Sequence, residues 1–172
     1  MHYMLDLETI GTSSRAVITS LAIVNIENPK EFINIEGISI EDQLAQGAKI
    51  DGQTLRWWST QDPELFKAQL TSEVSLTAAI SATASFLNNF QTIWAKGASF
   101  DFPILKHMLG SLPHHPMSQW GKYRDFRTMY QMYPNPELKP AREGSAHNAL
   151  SDALYQSEHL VNIINAFNLQ LR

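Results

Sequence analysis

The chain has 172 residues, 44% hydrophobic and 17% charged, which is enough apolar material for a packed core and excludes a disordered segment. It contains no cysteine, so a disulfide framework, a thiolate zinc site and a cysteine nucleophile are excluded. The net charge of −4 speaks against nucleic-acid binding through overall positive charge, yet residues 122–142 carry a local +3 (Lys122, Arg124, Arg127, Lys139 and Arg142 against Asp125 and Glu137) and leave −7 for the rest.

In chain order, residues 1–7 (MHYMLDL) read as a strand. Residues 16–26, rich in β-branched side chains, read as a second, and 31–36 alternate as a third. The connections at 10–14 and 27–30 carry turn residues, so the three strands predict an antiparallel meander. Residues 51–62 are mostly polar, with two tryptophans, Trp57 and Trp58, and lead to a helix entry at 59–63, with Pro63 near the first turn. Helical spacing covers 76–90, and 92–95 (TIWA) is a short buried strand. A helix is predicted over 101–109, with Pro103 in its first turn, and another over 125–132. Pro134, Pro136 and Pro140 mark a loop before a last helix over about 147–167. The expected architecture is one α/β domain over residues 1–172, a mixed central sheet with the meander first, flanked by helices. The N-terminal residues lack the pattern of a signal peptide, and no apolar run approaches the ~20 residues needed to span a bilayer, so a cytoplasmic chain without membrane contact is expected.

Four acids stand where local structure favours neutral residues. Asp6 and Glu8, two apart on a strand, point to one face. Asp101 follows a buried strand, and Asp152 lies one turn into the last helix, five residues after His147. Singly each has a plain alternative: Asp-x-Glu arises by chance, Asp101 reads as a helix cap, His147 as a helix-entry residue and Asp152 as an exposed acid. Together they describe a pocket of carboxylates that repel one another unless a cation neutralises them. With carboxylate ligands and no thiolate, that cation is hard, Mg²⁺ or Mn²⁺. Two such ions about 3.5–4 Å apart assist phosphodiester hydrolysis, and a histidine, ordinarily titrating near ~6.5, suits the base.

Three segments, Leu5-Asp6-Leu7-Glu8-Thr9, Gly97-Ala98-Ser99-Phe100-Asp101 and His147-Asn148-Ala149-Leu150-Ser151-Asp152-Ala153, resemble in order and spacing the motifs of the DEDDh 3′–5′ exonucleases. Leu55-Arg56-Trp57-Trp58 and Arg124-Asp125-Phe126-Arg127-Thr128 are similar to the small exoribonucleases and the phage and prophage exonuclease VIII-like proteins of that superfamily. The resemblance implies a ribonuclease H-like fold, two divalent metals per site, and stepwise release of nucleoside monophosphates from single-stranded RNA or DNA 3′ ends. It implies that Asp6, Glu8, Asp101 and Asp152 hold metals, that His147 is the general base, and that Thr9 and Ile10 lie beside the terminal nucleotide. Lys96 stands where relatives often carry Asn. The resemblance also points to a bacterial or phage-encoded protein, and small relatives often pair as homodimers.

Of Trp57 and Trp58, at most one reaches substrate to stack a base, because neighbours on a helix or strand point different ways; Trp57 is taken as that one. Phe100 and Phe102 divide between base contact and core in the same way, with Phe100 the contact. Arg124 and Arg127, a turn apart if helical, are candidates to clamp phosphate, with ion pairing to Asp125 as the plain alternative; Arg127 is taken as the substrate contact. Asp125 could instead orient an arginine or the metal site. His114-His115 reads as an exposed loop, His2 and His107 as structural, and Met129 and Met132 as packing beside Tyr130 and Tyr133. Two other functions stay open, a non-catalytic nucleic-acid-binding pseudo-nuclease and a metal-dependent nucleotide phosphatase with Asp6 as nucleophile. Against the second, Glu8 stands where aspartyl phosphatases need Asp.

Overall fold

The computed structural model describes residues 1–71, 74–110 and 120–171; His114 and His115 lie outside them. Strands β1 (His2–Thr9), β2 (Ile18–Asn25) and β3 (Phe32–Glu36) form the antiparallel meander. β4 (Thr92–Ala95) and β5 (Tyr123–Asp125) add in parallel on the other side of β1, giving the order β3-β2-β1-β4-β5. Seven helices accompany them among the described residues: α1 (Ile40–Ala45), α2 (Gly52–Trp58), α3 (Pro63–Thr71), α4 (Leu76–Phe86), α5 (Ala98–Leu109), α6 (Phe126–Met132) and α7 (Ala149–Ala166). This is the mixed α/β sheet expected from the sequence. No described helix is long and apolar enough to cross a membrane.

The two-residue period of β1 decides what each face of the sheet carries. Tyr3, Leu5 and Leu7 enter one apolar layer with Ile18, Leu21, Ile23, Phe102 and Leu105. Met4 enters the other with Ala22, Val24, Trp94, Phe126, Leu160 and Ile163. Asp6 and Glu8 continue the Met4 face, so they emerge beside α7 where that layer ends. Helix α7 lies there because Ala149, Ala153, Gln156, Leu160 and Ile163 recur at helical spacing and are all buried. The alanines let the helix approach β1 and β2 closely, and Gln156 is the polar member of the stripe.

Several boundaries differ from the sequence expectations, each for a local reason. Helix α2 begins at Gly52, inside the stretch expected to be non-helical, because the Asp51 carboxylate accepts the Gln53 N–H at 2.7 Å and caps it. Helix α4 ends at Phe86 rather than near residue 90, where Asn89 takes a positive φ of 63°. Helix α5 starts at Ala98, three residues early, because Asp125 Oδ2 accepts the Ala98 N–H at 2.7 Å. Pro103 is therefore inside the helix rather than in its first turn, and its missing N–H leaves the Ser99 carbonyl without that helical bond. Residues 123–125 form a strand too short for periodicity to reveal, and Asp125 caps α6 by accepting Thr128 N–H at 2.7 Å. Helix α7 starts at Ala149 with Asn148 as its cap, which leaves His147 outside the helix.

Candidate active site

The cavity at the α7 end of β1 has a volume of about 560 Å³ and is lined by Asp6, Glu8, Asp101, His147 and Asp152, all five residues of the predicted centre. One carboxylate oxygen each from Asp6, Glu8 and Asp152 lies within 4.8 Å of the others, close enough to share an ion. Asp101 lines the same cavity outside that three-carboxylate group. It sits in the first turn of α5 and does not cap it; the cap is Gly97, whose φ of 118° suits glycine.

The carboxylates are held against their ordinary chemistry. Burial raises Asp6 well above the usual carboxylate range, and the charges of Asp101, Glu8 and Asp152 push it further, while the Gln156 amide, donating to Asp6 Oδ1 at 2.8 Å, opposes them. Glu8 is pushed to about 8 by burial and then by Asp152 and Asp101. Asp101 is raised to about 7, chiefly by burial and further by Asp125, while backbone N–H groups of Asp101 and Leu7 and the cation of Arg127 pull it down. Carboxylates raised together in one cavity are short of positive charge. A hard divalent ion fits that deficit, and the buried Gln156 Oε1, which has no hydrogen-bond partner, adds a neutral oxygen acceptor at the same wall.

His147 has a left-handed φ of 61°, fixed by its backbone N–H donating to Asp152 Oδ2 at 2.9 Å. The same carboxylate that belongs to the three-acid group thus sets the turn that presents the histidine. Its ring meets the edge of Trp57 at 4.8 Å.

Trp57 belongs to an adjoining cavity of about 360 Å³, lined also by Thr9, Asp51, Gln53, Thr54 and Phe100, which shares Leu7, Glu8 and Phe100 with the acidic one. The two tryptophans differ in exposure although both line this cavity: Trp57 is 41% exposed, whereas Trp58 is 1% exposed, stacked on Phe66 and bonded through Nε1 to the Thr9 carbonyl at 2.8 Å. Phe100 and Phe102 divide likewise, Phe102 entering the core. Thr9 lines the aromatic cavity, but Ile10 lines neither, being 2% exposed. β1 ends at Thr9, and Ile10 is held just beyond it, its N–H donating to the Val17 carbonyl at 2.9 Å and its carbonyl accepting the Asp51 N–H at 2.8 Å.

Arg127 lines the acidic cavity, with Nη2 on the Lys96 carbonyl at 3.4 Å. Arg124 does not join it as a clamp: it lies on β5 rather than a helical turn away, and its guanidinium bonds to the carbonyls of Gly121 and Tyr123. Asp125 serves as a double cap for α5 and α6. Two further cavity residues were not anticipated. Gln156 looks from sequence like a lone polar interruption of an apolar stripe. Arg142, whose Nη2 pairs with Asp152 Oδ1 at 2.8 Å, was visible only as part of the basic segment.

A family model described as a 3′–5′ exoribonuclease Rv2179c-like domain matches residues 1–164. An exodeoxyribonuclease of Enterobacteria phage T4 is 25% identical over 128 residues, covering 62% of this chain and 55% of the relative, so the chain spans about half the length of the curated relative it matches. Among solved structures, exonuclease X in complex with 5′-overhanging duplex DNA aligns over 99% of this chain and 95% of that one, with a TM-score of 0.63 and 15% identity. An exonuclease I structure aligns over 96% of this chain and 40% of its own, with a TM-score of 0.66 and 16% identity. The Mg²⁺- and Mn²⁺-bound form of S. pombe Pop2p aligns over 96% of this chain and 82% of its own, with a TM-score of 0.59 and 12% identity. These structural likenesses establish a shared fold.

Proposed function

The chain belongs to the Rv2179c-like 3′–5′ exoribonuclease family, and on that premise we propose that it is one exonuclease domain that removes nucleotides from single-stranded RNA or DNA 3′ ends in a cytoplasmic setting. The observation that carries the reading is the meeting of Asp6, Glu8 and Asp152 within 4.8 Å, in a cavity that His147 also lines.

Asp6, Glu8, Asp101 and Asp152 are the residues that would hold two Mg²⁺ or Mn²⁺ ions. Such ions supply charge neutralisation at the phosphate and at the departing 3′ oxygen. The protein's own contribution is positional. The terminal base enters the aromatic lobe between Trp57 and Phe100, with Thr9 beside it, which sets the last phosphodiester over the shared wall at Glu8. His147 accepts a proton from the attacking water and later returns it to solvent; the new bond joins the water oxygen to phosphorus, and the bond to the 3′ oxygen of the preceding nucleotide breaks, that oxygen taking a proton from water. The products are a nucleoside 5′-monophosphate and a chain one nucleotide shorter with a free 3′ hydroxyl. Arg127, which lines the same cavity, contacts the phosphate.

The test is a 5′-labelled oligonucleotide incubated with the full chain and Mn²⁺, run in parallel as matched RNA and DNA. A ladder shortening from the 3′ end, absent for Asp6→Asn, is the expected result. Retention of the oligonucleotide without shortening, or loss of a terminal phosphate alone, would overturn it.

A further inference from the structure

Asp152 already spends both of its oxygens inside the protein: Oδ1 pairs with Arg142 at 2.8 Å and Oδ2 accepts the His147 N–H at 2.9 Å. The second bond builds the turn that carries His147 and is made to backbone. The first is made by a long side chain that is 33% exposed, against 14% for Asp152. It comes from the segment between the 3-10 turn at Pro136–Leu138 and α7, and its guanidinium lies 4.6 Å over the Tyr155 ring. The backbone of that segment is seated tightly. Gly144 has a φ of 82°, and a Cβ there would come within 2.5 Å of Ser151 Oγ on the first turn of α7. Arg142 therefore reaches the carboxylate that the three-acid group needs through a long, partly exposed side chain.

On the reading given above, we propose that Arg142 is an exchanging cation and a positioning residue for substrate. In the metal-free protein it neutralises Asp152. When divalent ions take that oxygen, the guanidinium swings to the phosphate of the 3′-terminal nucleotide in the same cavity. Three points support the exchange. Arg142 lines the cavity itself, so the phosphate lies within the sweep of the side chain. A partly exposed, solvent-screened ion pair is weak, so a divalent ion displaces it readily. The planar fork matches phosphate oxygens in pairs, a geometry lysine lacks. Arg127, the other arginine of the cavity, rests on the Lys96 carbonyl and has no carboxylate of the three-acid group to release.

The experiment separates binding from turnover. Calorimetric titration of Mn²⁺ into the metal-stripped full chain, without nucleic acid, compares wild type, Arg142→Gln, Arg142→Lys and Asp152→Asn. Competition predicts that Arg142→Gln binds Mn²⁺ on the order of tenfold tighter, since a positive charge leaves the site, while Arg142→Lys stays near wild type. In Ca²⁺, which permits binding without turnover, a nucleoside 5′-monophosphate should bind on the order of tenfold more weakly to both Arg142 variants. Unchanged or weaker Mn²⁺ binding by Arg142→Gln, or unchanged nucleotide binding, would overturn the exchange. Wild type and Asp152→Asn taking up Mn²⁺ equally would instead sink the metal-centre reading on which it rests.

Discussion

The acidic and aromatic lobes of the cleft share Leu7, Glu8 and Phe100, yet they are assembled in opposite ways. The acidic lobe gathers Asp6, Asp101 and Asp152 from three distant parts of the chain and crowds charges that the fold alone would push apart. The aromatic lobe comes from two short stretches, residues 7–12 and 51–58, joined by Trp58 Nε1 on the Thr9 carbonyl, with Phe100 closing the wall. Its contacts stabilise the folded state as ordinary packing does. One lobe thus stores unfavourable electrostatics for chemistry, while the other contributes stability and a surface for a base. A variant should reveal which lobe it touches by whether activity and stability move together or apart.

The largest separation is expected for Asp6→Asn. Turnover of a labelled oligonucleotide should fall on the order of 10³-fold or more, while the melting temperature of the metal-free protein does not fall, because a neutral amide replaces an acid whose ionisation burial and the neighbouring acids oppose. A decrease in both would erase the distinction between the lobes. His147→Ala should lower kcat by about 10²–10⁴-fold with little change in Mn²⁺ affinity, as expected for a base that is not a ligand. Trp57→Ala, in the aromatic lobe, should raise KM by about tenfold, the loss of one stacked base, with Mn²⁺ binding unchanged by calorimetry.

The smallest effect is on stability against pH. Glu8 at about 8 and Asp101 at about 7 lie above their ordinary values, so the folded metal-free protein keeps protons that the unfolded chain has already released. Stability is therefore greatest at low pH for these groups and is lost as pH rises toward 8. His2, His107 and His159 are shifted down by burial and act in the opposite direction only below about 6.5. The clean window is pH 6.5 to 8. There the melting temperature of the metal-free protein should drop by roughly 5 °C, and saturating Mn²⁺ should flatten the slope. A rise across that window would show that the acidic lobe is not strained.

The sequence made legible what is periodic or strictly local. Alternation along β1 placed Asp6 and Glu8 on one face, and the helical stripe of α7 brought Asp152 toward them. Contacts set by chain geometry rather than by pattern stayed hidden. The three residues of β5 are too few to show a period, and Asp125 caps α5 only because β5 runs beside β4. Arg142 reaches Asp152 from an irregular segment that no periodicity describes. Ile10 follows Thr9 in sequence but is buried just past the end of β1 and lines neither cavity, a placement that adjacency alone does not reveal.

The close seat of Gly144 against Ser151 makes this position an Achilles heel remote from the chemistry. Its left-handed φ of 82° disfavours any side chain, so replacement by alanine would strain the backbone between Arg142 and His147, two cavity residues that are not carboxylates. A screen for inactive clones that still bind manganese should therefore return lesions at this glycine.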